Sequence, residues 1–197
     1  MMRRVAIWLR LCWYLPLLTG WAVLSSRSVI NADADRWASI VKWPYKNLPR
    51  RLYLLATYPE FRTLYYYRLR RSSNFGVAVA VILRVVYPGE RTLFLGCPDI
   101  GPGLYIQHGF ATIIAARKLG ANCWINQQVT IGFVSPGARP TIGDNVAIHA
   151  GAKVLGEIMV GDGARIGANA VVLEDVPPGH TAVGVPARML APKAKSD

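Results

Sequence analysis

Between Ile100 and Val176 a large aliphatic residue returns every six positions, and this period restricts the fold more than any other feature of the chain. Leu119, Ile125 and Ile131 make one run, and Ile142, Ile148, Val154, Val160, Ile166 and Val172 make the next, with a step of eleven between Ile131 and Ile142. Most are followed by a short residue, as at Gly120, Asn126, Gly132, Gly143, Gly161 and Gly167. Four positions after the aliphatic stands another small or β-branched residue, as at Cys123, Val129, Val146, Ala152, Ala164 and Ala170. A helix would repeat every 3.6 residues and a hairpin sheet every two, so neither fits. A short fixed period belongs to stacked units, each too small to bury its own apolar face. Three six-residue strands per coil give one aliphatic per strand to a narrow triangular core, with small residues where the chain turns. Ile148 and Ile166, eighteen apart, then lie one above the other. The spacing predicts a mainly β chain, a parallel β-helix.

The period is broken twice. Ile100 and Ile106 are in phase, but the next step, to Ile113, is seven, which predicts one extra residue beside His108. The eleven-residue step leaves Gly132–Thr141 as a loop outside the coil, carrying Pro136, Gly137, Arg139 and Pro140. Such interruptions are where a regular solenoid can build a site, because loops leave the stack. The period ends at Val176-Pro177-Pro178-Gly179.

Charge divides the chain in the same place as pattern. Residues 1–95 hold 15 Lys and Arg against four Asp and Glu, while residues 96–197 hold eight against seven. Nucleic acid is the usual partner of so basic a chain. Here the arginines alternate with apolar runs, which fits an anionic membrane surface and argues against a nucleic-acid groove. Residues 1–24 open with Arg3 and Arg4 and continue with Trp8, Trp13 and Trp21 in an apolar run too short to span a bilayer. They are expected to form an interfacial or packed helix that makes peripheral membrane contact. A signal peptide is the lesser reading, since Ser25-Ser26-Arg27-Ser28 is a poor cleavage site. Helices are predicted over 31–75, broken at Pro44, Pro49 and Pro59, and over Gly76–Tyr87. The Tyr65-Tyr66-Tyr67 cluster beside Arg68 reads as packing before it reads as a sugar or phosphate site. The chain thus divides into a basic α-helical region (1–92), a β-helix (93–191) and a basic tail (192–197).

Cys12, Cys97 and Cys123 have neither paired nor metal-ligand spacing, so no metal is expected and a reducing compartment fits. Three histidines are present: His108, His149 and His180. His108 sits at the first break and precedes a glycine, which leaves room beside the ring. An imidazole titrates near pH ~6.5 and is the natural general base at neutral pH. His149 stands where neighbouring repeats have glycine, and Asp99, nine residues before His108, is the nearest upstream carboxylate that could orient the base.

Gln107-His108-Gly109, Gln128-Val129-Thr130-Ile131-Gly132, Ile148–Gly156 and Gly184-Val185-Pro186-Ala187-Arg188 together resemble the hexapeptide-repeat acyltransferases. Within them the chain is most similar to the serine O-acetyltransferase branch, over residues 93–191. The order Tyr58-Pro59-Glu60-Phe61-Arg62 before Tyr65-Tyr66-Tyr67-Arg68 resembles the members found in capsule and exopolysaccharide clusters. The resemblance implies a left-handed β-helix, acetyl-CoA as acetyl donor, and a homotrimer with sites between neighbouring subunits. It makes His108 the base that deprotonates the acceptor hydroxyl, with Asp99 and His149 as candidate support. It lays the coenzyme along Gly132, Ala150 and Ala168, with Arg188 and Lys193 toward its phosphates. Two departures stand out. The branch's upstream aspartate partner of the histidine has no counterpart, and its Arg-His pair before the loop proline is replaced by Ala138-Arg139-Pro140, leaving Arg139 to meet the acceptor. The resulting expectation is an O-acetyltransferase acting on a sugar hydroxyl of a surface-polysaccharide or lipid-linked precursor, in the cytoplasm at the inner membrane face. The alternatives are a serine O-acetyltransferase of cysteine biosynthesis and a non-catalytic trimeric scaffold.

Overall fold

The computed structural model describes residues 11–24, 27–41 and 49–192. They form two compact units, Met1–Arg91 and Thr92–Asp197.

The first unit is helical: α1 (Leu17–Val23), α2 (Arg27–Ile40), α3 (Arg50–Thr57), α4 (Pro59–Arg70) and α5 (Asn74–Val86). Pro59 decides one boundary. It forces Tyr58 into extended backbone, which ends α3, and it opens α4 with its ring at the first helical position. Ser73 opens α5, its side chain accepting from the Gly76 amide at 3.0 Å. Trp37, Leu54, Leu55, Phe61, Leu64, Tyr65 and Leu69 fill the core. The tyrosine cluster is packing: the Tyr65 hydroxyl donates to the Leu17 carbonyl at 2.6 Å and that of Tyr66 to the Tyr87 carbonyl at 2.7 Å. Burial holds both phenols above their ordinary range, so they remain donors. Gly20 lets the first of these bonds form, because a Cβ there would lie 2.3 Å from the Tyr65 hydroxyl. Arg68 of α4 meets Asp33 of α2 at 2.9 Å, with the carboxylate fully buried. The run from Leu11 is helical only to Trp13, turns, and re-forms as α1, with Leu11, Leu17, Trp21 and Leu24 buried. No helix among the described residues is long and apolar enough to cross a membrane.

The second unit is a parallel β-helix of three sheets, as the period predicts, with strands numbered β1 to β14 in chain order. The five-stranded sheet stacks β1 (Leu93–Leu95), β3 (Thr112–Ile114), β6 (Thr130–Gly132), β9 (Lys153–Leu155) and β12 (Val171–Val172). The three-stranded sheet is β4 (Lys118–Leu119), β7 (Thr141–Ile142) and β10 (Met159–Val160). The six-stranded sheet is β2 (Tyr105–Ile106), β5 (Trp124–Ile125), β8 (Ala147–Ile148), β11 (Arg165–Ile166), β13 (Thr181–Val183) and β14 (Arg188–Leu190). Register makes three aliphatic columns inside: Ile106, Ile125, Ile148, Ile166 and Ala182; Ile114, Ile131, Val154 and Val172; and Ile100, Leu119, Ile142, Val160 and Val176. None is more than 5 % exposed. Ile148→Ala removes the middle of a column that cannot close over the gap, and should cost about 2–5 kcal/mol, read as a fall in denaturation midpoint with unchanged slope. Cys123 fills a corner, and burial pushes its thiol up to about 12, which keeps it a protonated apolar filler.

Two expectations are corrected here. The residue in phase after Ile106 is Ile114 and not Ile113, which pairs with Phe94 on the outer face and is 43 % exposed. The break beside His108 therefore holds two extra residues, and the next inward step, from Ile114 to Leu119, is one residue short at five. The solenoid also continues past Val176: β13 adds a strand to the six-stranded sheet, and β14 then pairs with it antiparallel.

Candidate active site

The first break lies at the corner where the chain passes from the six-stranded to the five-stranded sheet. Equivalent backbone bonds identify what stacks there. The amides of Gln107, Asn126, His149 and Gly167 donate to the carbonyls of Ile125, Ile148, Ile166 and Ala182, each one coil further on. These four residues form one column, and His108, Gln127, Ala150 and Ala168 follow them as a second. Coils are spaced by about 4.8 Å, so Ala150 lies roughly 10 Å from His108 along the stack.

At the top of this corner the two extra residues lift the chain off the coil. His108 (φ 53) and Ala111 (φ 51) both take the left-handed conformation, costly for residues other than glycine and held only where surroundings enforce it. The surroundings are visible. The Ala111 amide donates to Thr92 Oγ1 at 2.8 Å, and the fully buried Thr112 donates its hydroxyl to the Phe110 carbonyl at 3.1 Å. His108 is left exposed on this lifted turn, with Phe110 exposed beside it.

Behind it lies a polar cluster that the period does not signal. Gln107 Oε1 accepts from Trp124 Nε1 at 3.2 Å and from Asn126 Nδ2 at 3.5 Å, and Trp124 packs edge-on against Tyr105 at 4.9 Å. Asn126 Oδ1 and Gln127 Oε1 are buried and find no hydrogen-bond donor among the described residues. Buried acceptors are rarely left so. The adjacent Asn126-Gln127 pair in a repeat that elsewhere prefers Gly or Ala is the sequence signal that could have found them.

The remaining candidates separate by corner. His149, Ala150 and Ala168 share the His108 corner. Gly132 is at the opposite edge of the five-stranded sheet, where its loop leaves the coil, and a Cβ added to it would meet only ordinary contacts at 3.7 and 3.8 Å. Arg139 closes that loop with its guanidinium 5.7 Å over the Phe133 ring, while Phe133 and Val134 are exposed. Asp99 is on this second corner, exposed, with its carbonyl taken by the Leu119 amide and the Cys97 thiol. No hydrogen bond or ion pair joins it to His108. Arg188 is exposed on β14, and Lys193 lies outside the described residues. Among the described residues no group of His, Cys, Asp and Glu could hold a metal ion.

Ala150 and Ala168 leave their column low beneath His108, so a long ligand arm could lie against the backbone there.

Residues 139–174 match the family model for the bacterial transferase hexapeptide (six repeats). The chain is 40% identical over 152 residues to a serine acetyltransferase of Helicobacter pylori (strain J99), a match covering 70% of this chain and 84% of that protein. It is 41% identical over 109 residues to one from Synechococcus elongatus, covering 53% of this chain and 41% of that protein. Among solved structures, soybean serine acetyltransferase complexed with serine matches at 30% identity and TM-score 0.63, covering 83% of this chain and 69% of that one. A serine acetyltransferase complex with CoA matches at 26% identity and TM-score 0.60, covering 89% and 74%.

Proposed function

Because the chain belongs to the serine acetyltransferase family, we propose that it transfers an acetyl group from acetyl-CoA to the hydroxyl of L-serine, with His108 as general base. The exposed imidazole on a turn whose backbone is forced into the left-handed region carries the reading. Acetyl-CoA supplies the acyl group as a thioester. His108 takes the hydroxyl proton as the oxygen bonds to the thioester carbon, and returns it to the departing sulfur as the C–S bond breaks. Gly132, Ala150 and Ala168 let the arm lie against the backbone, and Arg188 and Lys193 serve its phosphates. The chain works as a cytoplasmic homotrimer; exposed Phe94, Phe110 and Ile113 on and beside the five-stranded sheet give a neighbouring subunit an apolar face to close the site.

Serine is preferred because it is named in the relatives and bound in the soybean structure. A sugar hydroxyl of a surface-polysaccharide precursor is the second reading, favoured by the exposed Phe133 and Val134 beside Arg139, an apolar loop suited to a pyranose face. Free-thiol release from acetyl-CoA should rise with L-serine and saturate. Release that requires an added sugar acceptor and ignores serine would move the assignment to the second reading. No release with either acceptor would leave a scaffold.

A further inference from the structure

Helix α5 buries one stripe, Gly76, Ala80 and Leu83, and leaves another outside. Phe75 is 66% exposed, Ile82 66% and Val85 81%, with Val81 and Val86 above 50%. At spacings of three, four and seven these residues make a continuous outer face, on a helix whose one charged residue is Arg84. A scattered apolar residue needs no explanation, but a whole helix face does. The face continues at its C-terminal end: Tyr87 donates to the Trp13 carbonyl at 2.9 Å, and the Trp13 indole, 60% exposed, packs edge-on to it at 6.0 Å.

Charge names the occupant. Beside the same face Arg70 and Arg84 line a recess of about 240 Å³ with Tyr66, Val81 and Val85. Neither arginine forms an ion pair among the described residues. The 15 basic against four acidic residues of 1–95 set the same sign over the whole unit. An apolar strip with a Trp at its end and unpaired guanidinium groups alongside has the chemistry of a bilayer boundary carrying anionic headgroups. We propose that the outer face of α5, with Trp13, docks the helical unit on an anionic lipid surface, while Arg70 and Arg84 take a headgroup phosphate. The expected contact through residues 1–24 is thereby extended to α5, residues 1–10 lying outside the described residues. In its described part Leu11, Leu17, Trp21 and Leu24 are already buried, and Trp13 and Leu15 are the large apolar residues left exposed.

The full chain should co-sediment with vesicles of phosphatidylcholine containing phosphatidylglycerol, should bind pure phosphatidylcholine at least about tenfold more weakly, and should lose binding as salt is raised. Ile82→Glu with Val85→Glu changes two solvent-facing residues and should cut binding about tenfold or more. Arg70→Gln with Arg84→Gln should weaken binding to the anionic vesicles and flatten its salt dependence. Thermal melts of each variant confirm that the unit stays folded, and thiol release in vesicle-free solution should equal that of the parent, so failure of this docking is distinguishable from failure of the acetyl-transfer reading. Undiminished vesicle binding by the Ile82→Glu, Val85→Glu variant would overturn the proposal. So would a parent that ignores vesicles but forms a larger assembly which the same variant splits, since the face would then belong to a second copy of the chain.

Discussion

His108→Ala should abolish measurable acetyl transfer, lowering kcat by about 10²–10⁴-fold, with the melting temperature little changed and the KM for acetyl-CoA close to the parent value. The side chain is exposed and the turn's main chain is held from behind at Ala111 by Thr92 and at Phe110 by Thr112, so the turn does not depend on the ring for packing. Alanine does meet one penalty unrelated to chemistry, because φ 53 is unfavourable for it. His108→Asn removes the base while supplying a residue that tolerates the left-handed region, and so separates the two effects. Both variants should lose turnover alike, and the asparagine variant should melt at or above the alanine one. An interaction made only with the reacting hydroxyl lowers kcat and leaves coenzyme binding alone. Retention of more than about a tenth of the parental kcat by His108→Asn would remove His108 from the base role, and His149, in the neighbouring column two coils on, would be tried next.

Asp33→Ala should be among the most destabilising single changes in the helical unit, at about 3–5 kcal/mol. The Arg68–Asp33 pair joins α4 to α2 with the carboxylate fully buried and the guanidinium 9 % exposed. Removing the carboxylate takes away both hydrogen bonds it accepts from a guanidinium whose side chain is only 9 % exposed. Removing both charges is a different matter, because an apolar pair of similar volume avoids the desolvation cost altogether. Asp33→Leu combined with Arg68→Met should therefore recover most of the loss. Chemical denaturation of the single and double variants measures the coupling, and equal destabilisation by both would show that packing alone holds α2 to α4.

Much of the solenoid is legible in the sequence because its core has one dimension: each inward position is filled by the same residue class at a fixed step. Legibility fails where the step changes and two like residues stand side by side. Ile113 and Ile114 are chemically identical, and only the pairing of Phe94 with Ile113 shows which one faces out. His108 was found from the break in the period, and the structure adds that its left-handed residue is additional to the one that Ala111, Gln128, Gly151 and Asn169 place at this corner of successive coils. The Gln107–Trp124–Asn126 cluster was not found, because three polar residues from two coils come together only through register. Asp99 lies at another corner, because nine residues carry the chain around the coil. In the helical unit, proline marked the boundary at Pro59, but nothing local pairs Asp33 with Arg68, 35 residues apart.

The antiparallel strand β14 ends the stack in a way the period could not. Every other pairing between these strands is parallel, and an open parallel edge after β13 would be a template on which another molecule's first coil could continue the ladder. Arg188–Leu190 occupies that edge with reversed polarity and places Arg188 upon it. An incoming coil then meets hydrogen-bonding groups out of step with its own and a charge at the joint. The fold thereby carries its own terminator, which keeps a modular architecture able to polymerise end to end at a finite length.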